Sequence, residues 1–217
     1  MALLAMVLAV ALQAAARPLA PPACAAPRPA RLLPVDRAAT QPDFFTFRAR
    51  LQTAIARRDE AAVLAVVDPG IRISFGDDEG LDTFRTKLRE PQSTLWGDLA
   101  SALALGGTFQ APDSFVAPYV FAAWPDGLDS FECAAVIGER VRVRATAAPD
   151  SAVVGSVSYE IVQVLPAQRE SAATHVRLAN GVTGFIASTF VRSPIDHRAI
   201  FQKAGGQWML RAFVAGD

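Results

Sequence analysis

Residues 139–192 read ERVRVRATAAPDSAVVGSVSYEIVQVLPAQRESAATHVRLANGVTGFIASTFVR, and their spacing sets the reading of the whole chain. Val141 and Val143 alternate with Arg142 and Arg144, which predicts a strand with one face inward. Ala148-Pro149-Asp150-Ser151 breaks it with turn residues. Val153, Val154 and Val157 follow, and the β-branched run Glu160–Leu165 ends at Pro166. Residues 167–173 read as a loop, and His175–Leu178 alternates again. Asn180-Gly181 is a tight-turn dipeptide, after which Val182–Ala187 returns. Five short strands in so few residues predict a small β-barrel.

The stretch resembles the bacterial SH3 (SH3b) family. That family's opening strand is similar to Val141–Thr146, with Pro149 displaced by a short insertion, and its middle to Ser151–Val157. Its closing pattern, V-x-x-x-[DN]-G-x-x-G-[WY]-[VI]-x-x-x-[YF]-[LV], is similar to Val176–Val191, with Phe185 at the usual Trp or Tyr. Gly181 suits a positive-φ turn position, and Gly184 lets two backbones cross closely ahead of the aromatic. The resemblance implies a non-catalytic module that binds cell-wall (peptidoglycan) peptide or a protein partner in the envelope. Arg144, Tyr159, His175 and Phe185 are the candidates for its ligand surface.

The chain of 217 residues is 52% hydrophobic and 19% charged, with formal net charge +0. It is long enough for one sizeable or two small cores, and its neutrality argues against a general nucleic-acid partner. Arg31, Arg37, Arg48, Arg50, Arg57 and Arg58 crowd the early chain, which reads as a solvated helix face. Residues 1–16, MALLAMVLAVALQAAA, read as a signal peptide, too short for a transmembrane span and lacking a basic start. Export to the periplasm or envelope would permit a disulfide between the two cysteines, Cys24 and Cys133.

Residues 17–42 are dense in proline and read as a linker or extended arm. Residues 43–131 are expected to form a helical α+β domain. Phe44, Phe47, Leu51 and Ile55 line one helix face, and Asp59 caps a second helix through Val67, stopped by Asp68-Pro69-Gly70. Ile71–Phe75 predicts a strand and Gly76–Gly80 an acidic turn. Helices over 81–88 and 95–103 follow. The order is faintly similar to the opening of NTF2-like cone folds over residues 43–90, which implies a ligand cavity as an alternative function, around Arg72, Phe75 and Trp96. Residues 108–131 read as an irregular connector pinned by aromatics. With the barrel at 132–193, residues 194–217 form a hairpin that needs a partner. Its expected partner is strand 71–75, which makes the barrel an insertion. The fold class is thus α+β, a helical domain whose small sheet is completed by a C-terminal β-hairpin, plus an SH3-like barrel.

Catalytic chemistry is sparse. Ser193, Asp196 and His197 lie close but lack a nucleophile elbow, and Asp77 and Asp78 are adjacent carboxylates that point apart. There is no phosphate loop or dinucleotide fingerprint, no metal-ligand spacing, and no cofactor is expected. A barrel that serves only to stabilise the fold is the third reading.

Overall fold

In the computed structural model the described residues are Cys24, 30–76, 79–166 and 172–216. The 1–16 leader, the Asp77-Asp78 pair and most of the 167–173 loop lie outside them. The described chain is α+β, with five helices and two sheets.

The first unit opens with α1, Pro42–Ala56, whose proline occupies the first turn, where an N–H would lack a partner anyway. Helix α2, Glu60–Leu64, is shorter than its sequence suggests. Asp59 caps it by accepting from the Ala62 N–H at 3.0 Å. The chain then turns into strand β1, Val67–Arg72, which runs through Asp68-Pro69-Gly70 instead of starting after it. The proline is tolerated because β1 is an edge strand with an irregular register. Helices α3 (Leu81–Arg89) and α4 (Leu95–Ala104) follow.

Residues 108–117 are not an irregular connector. They form a hairpin, β2 (Thr108–Ala111) and β3 (Ser114–Ala117). Periodicity was masked there because β3 is buried at three successive positions. The short helix α5, Tyr119–Ala122, comes next. Seven strands then make the second sheet: β4 (Cys133–Val136), β5 (Val141–Arg144), β6 (Val153–Val157), β7 (Ile161–Val164), β8 (Ala173–Arg177), β9 (Thr183–Ala187) and β10 (Val191–Arg192). The chain ends with β11 (Arg198–Ala204) and β12 (Gln207–Val214).

The first sheet has the order β1-β12-β11-β3-β2. β1 lies parallel to β12 and the other pairs are antiparallel. Strands from opposite ends of the chain are therefore hydrogen-bonded neighbours. The second sheet is antiparallel and open, in the order β10-β4-β7-β8-β9-β5-β6. The strands that come first and last in the chain, β4 and β10, are neighbours in it, Val191 pairing with Val136 and Arg192 with Ala135, so the chain leaves this unit close to where it entered.

Phe44 sits at the centre of the first core. Its ring lies 4.2 Å from Phe115, 4.8 Å from Trp208, 5.3 Å from Phe109 and 5.6 Å from Phe201. Burying each such ring contributes about 1.5–3 kcal/mol. The second core is aliphatic, built on Val136, Val143, Val162, Val176 and Ile186. A third cluster joins the arm to both units through Leu32, Tyr119, Val120, Cys133 and Ile161. The described part of the proline-rich arm is pinned there, with the Leu32 N–H donating to Tyr159 O at 2.8 Å and the Ile161 N–H donating to Ala30 O at 2.8 Å. Among the described residues no helix is long and apolar enough to cross a membrane.

Candidate binding face of the second sheet

Three of the four candidate surface residues come together. His175 on β8 is paired with Phe185 on β9, and Phe185 with Arg144 on β5. Direct partners in an antiparallel ladder project to the same face, so the three form one row across adjacent strands. The rings of His175 and Phe185 stack with centroids 4.5 Å apart and planes 8° apart.

Two glycines set this geometry. Gly181 has φ +85° in the β8–β9 turn, where the Val182 N–H donates to Asn180 Oδ1 at 3.1 Å. At Gly184 a Cβ would stand 2.7 Å from both Arg144 O and Val143 Cγ1. Its missing side chain lets β9 close on β5 and sets Phe185 beside Arg144.

The Arg144 guanidinium is steered by the loop that follows β5, its Nη1 donating to Ser151 O at 2.6 Å. Ser151 Oγ in turn accepts from the Thr146 N–H at 2.9 Å. Two positions along each strand, Arg142 and Arg177 extend the same face. Arg177 Nη1 donates to Gln163 Oε1 at 3.1 Å. Among the described residues none of these three arginines has a carboxylate partner. The row is a flat aromatic shelf beside guanidinium groups with free donors, chemistry suited to a peptide carrying a carboxylate.

Tyr159 does not join the row. It sits at φ +54° between β6 and β7, its N–H donating to Gly138 O at 3.0 Å and its carbonyl held by Leu32. There it faces the arm and α5. Burial and the neighbouring Tyr159 push the Tyr119 hydroxyl up to about 12. Cys24 and Cys133 are disulfide-bonded, with Cα atoms 5.9 Å apart, which fastens the arm to the start of β4.

The other candidates are separated by their contacts. Arg72 is exposed at the end of β1. The Phe75 ring lies 5.2 Å from the Arg198 guanidinium. Trp96 packs on the first core and donates Nε1–H to Leu88 O at 3.1 Å. Ser193 Oγ accepts from the Ile195 N–H at 3.3 Å, whereas the His197 Nδ1 faces Asp98 Oδ2 at 3.5 Å and its ring stacks on Phe213. Ser193, Asp196 and His197 therefore do not form a nucleophile–base–acid relay. Among the described residues no three His, Cys, Asp or Glu side chains group as a metal site.

Sequence reading also missed Arg48 as a buried residue. It is 6% exposed and bidentate to Asp36, at 2.8 and 2.6 Å. Burial pushes the Asp36 carboxyl up, but bonds from Arg48 and the Ala38 N–H outweigh this and hold it below the usual range. No local pattern marks that pair, since Asp36 lies in the arm. In comparison with known proteins, the chain matches no family model and no curated protein sequence.

Proposed function

We propose that this is a non-catalytic binding protein of the cell envelope, whose second sheet is an SH3b-like barrel unit that takes a short peptide of the cell wall or of a protein partner. The observation that carries the reading is the row Arg144–Phe185–His175, with its stacked rings and uncompensated guanidinium. A peptide backbone laid on the shelf would gain apolar contact from the rings, and its carboxylate a charge-assisted hydrogen bond from Arg144. The Cys24–Cys133 bond is compatible with an oxidising compartment and so with export.

The first unit is read as NTF2-like. Its two opening helices and β1 belong to a unit whose sheet holds four further strands, which supports that reading. The space between helices and sheet is occupied by Phe44, Phe115, Phe201 and Trp208, which disfavours a substrate cavity there. In this reading the first unit is a scaffold and the second carries the binding.

The test is co-sedimentation of the chain from Arg17 onward with purified peptidoglycan sacculi, beside a Phe185→Ala variant. Saturable pelleting that the variant loses is the expected result. Absence of pelleting would remove the wall ligand, and pelleting unchanged in the variant would remove the row.

A further inference from the structure

We propose that the groove between α1 and α2 is a second docking surface, which takes an amphipathic helix of a partner protein with acidic residues along its edge. Two contiguous hollows, of about 450 and about 590 Å³, share Thr46, Arg50, Ala54 and Ala62 and run along the outer side of α1. α1 is 15 residues long, so the groove follows about 22 Å of helix.

Its walls are apolar and shallow. Phe45 is 49% exposed, a large ring left in water on a helix that has already buried Phe44, Leu51 and Ile55 elsewhere. Ala49, Ala54, Ala62 and Ala65 give a floor of small side chains. A floor of that kind lets a second helix approach closely with its larger apolar residues pointing down, as in helix-in-groove recognition.

The charges select the partner's sign. Thr46, Arg50, Thr53 and Arg57 follow helical spacing, so the two arginines stand two turns, about 10 Å, apart on one edge. Neither has an acidic partner among the described residues. Neither of the two acids at the groove pairs with these arginines. Asp59 caps α2 through the Ala62 N–H, and Asp43 accepts from Lys203 Nζ at 2.7 Å and Trp208 Nε1 at 3.0 Å. Both Thr hydroxyls bond within α1, to Pro42 O and Ala49 O at 2.9 Å each. The groove therefore offers an apolar trough with two unanswered positive charges, complementary to a helix with carboxylates two turns apart.

The experiment uses fluorescence anisotropy with two synthetic helical peptides about as long as α1. Both carry one Leu/Ala face, with Glu pairs seven residues apart in one and Lys in the other. The whole chain is compared with an Arg50→Glu/Arg57→Glu variant whose circular dichroism and melting match the parent. The expected result is saturable binding of the Glu peptide, about tenfold weaker binding of the Lys peptide, and a reversed preference in the variant. Equal binding of both peptides, or no saturation by either, would overturn the proposal. So would a dimer in sedimentation velocity, or flotation with anionic phospholipid vesicles, that the variant abolishes. These last two outcomes would assign the groove to a second copy or to a lipid surface.

Discussion

The imidazole of His175 lies flat against the phenyl ring of Phe185, 4.5 Å between centroids, because the two residues face each other across β8 and β9. The stack makes a rigid shelf from two side chains that would otherwise be mobile at a half-exposed position. Phe185→Leu keeps much of the apolar volume and removes the flat partner. It should cost about 1 kcal/mol in thermal or urea unfolding, and reduce sacculus pelleting as far as Phe185→Ala does. A leucine variant that pellets like the parent would place the ligand off this row.

Gly184→Ala should be far more damaging than its one methyl group suggests. The added Cβ meets Arg144 O and Val143 Cγ1 at 2.7 Å, and the carbonyl belongs to a backbone that cannot rotate away. The expected loss is about 2–3 kcal/mol in urea unfolding. Gly127→Ala, with nothing within 4 Å of its Cβ, should cost only its positive-φ strain, about 1 kcal/mol.

Reducing the Cys24–Cys133 bond should loosen the arm. The bond closes a loop across a sequence separation of 109, for which chain entropy gives about 4–5 kcal/mol. Chemical unfolding with and without dithiothreitol measures the difference. Exchange at the amides of Leu32 and Ile161, which bond across the arm, should quicken before the second core opens.

The buried Arg48 depends on Asp36. Its side chain is 7% exposed while that of Asp36 is 45% exposed, so removing the aspartate strands the cation more than the reverse. Asp36→Ala should cost about 3 kcal/mol, and the double variant Asp36→Ala/Arg48→Met less than Asp36→Ala alone, because no charge is left buried. Equilibrium unfolding of the single and double variants checks the order, and a double variant worse than the single would refute it.

Two groups should shape stability against pH in separate windows. Bonds from Lys203 and Trp208 hold the Asp43 carboxyl down at about 2, against an ordinary 3.8. Its stabilisation is present above 3.8 and is lost as pH falls through about 2. Burial, aided by Arg192, lowers His197 below its ordinary 6.5, with Asp98 and Asp196 opposing only in part. The native state resists its protonation, so stability is full above 6.5 and declines as pH drops toward the folded value. Melting temperatures across pH should show His197→Gln flattening the first decline and Asp43→Asn the second.

Some of the fold could be read locally. The Phe44–Ile55 stripe, the Asp59 cap and the Asn180-Gly181 turn are short-range signals, and each acts where its residues stand. The hairpin at 108–117 was not legible, because a strand buried at successive positions loses its alternation. β1 was displaced by Pro69, a breaker that an edge strand tolerates. Arg50 and Arg57 read as a solvated face, and only the adjoining α2 turns that face into a groove.

By itself the sequence determined the α+β class, the two apolar cores in outline, and the residue types available for binding. Those depend on periodicity, turn chemistry and composition, which are properties of neighbours in the chain. Only the tertiary structure decided the parallel direction and irregular register of β1 against β12, that Arg48 is buried on Asp36, and that Arg144, Phe185 and His175 share a row while Tyr159 does not. The β1–β12 pairing and the Arg144–Phe185 step join residues far apart in sequence, and in every case strand register and burial, which no local pattern encodes, bring the groups together.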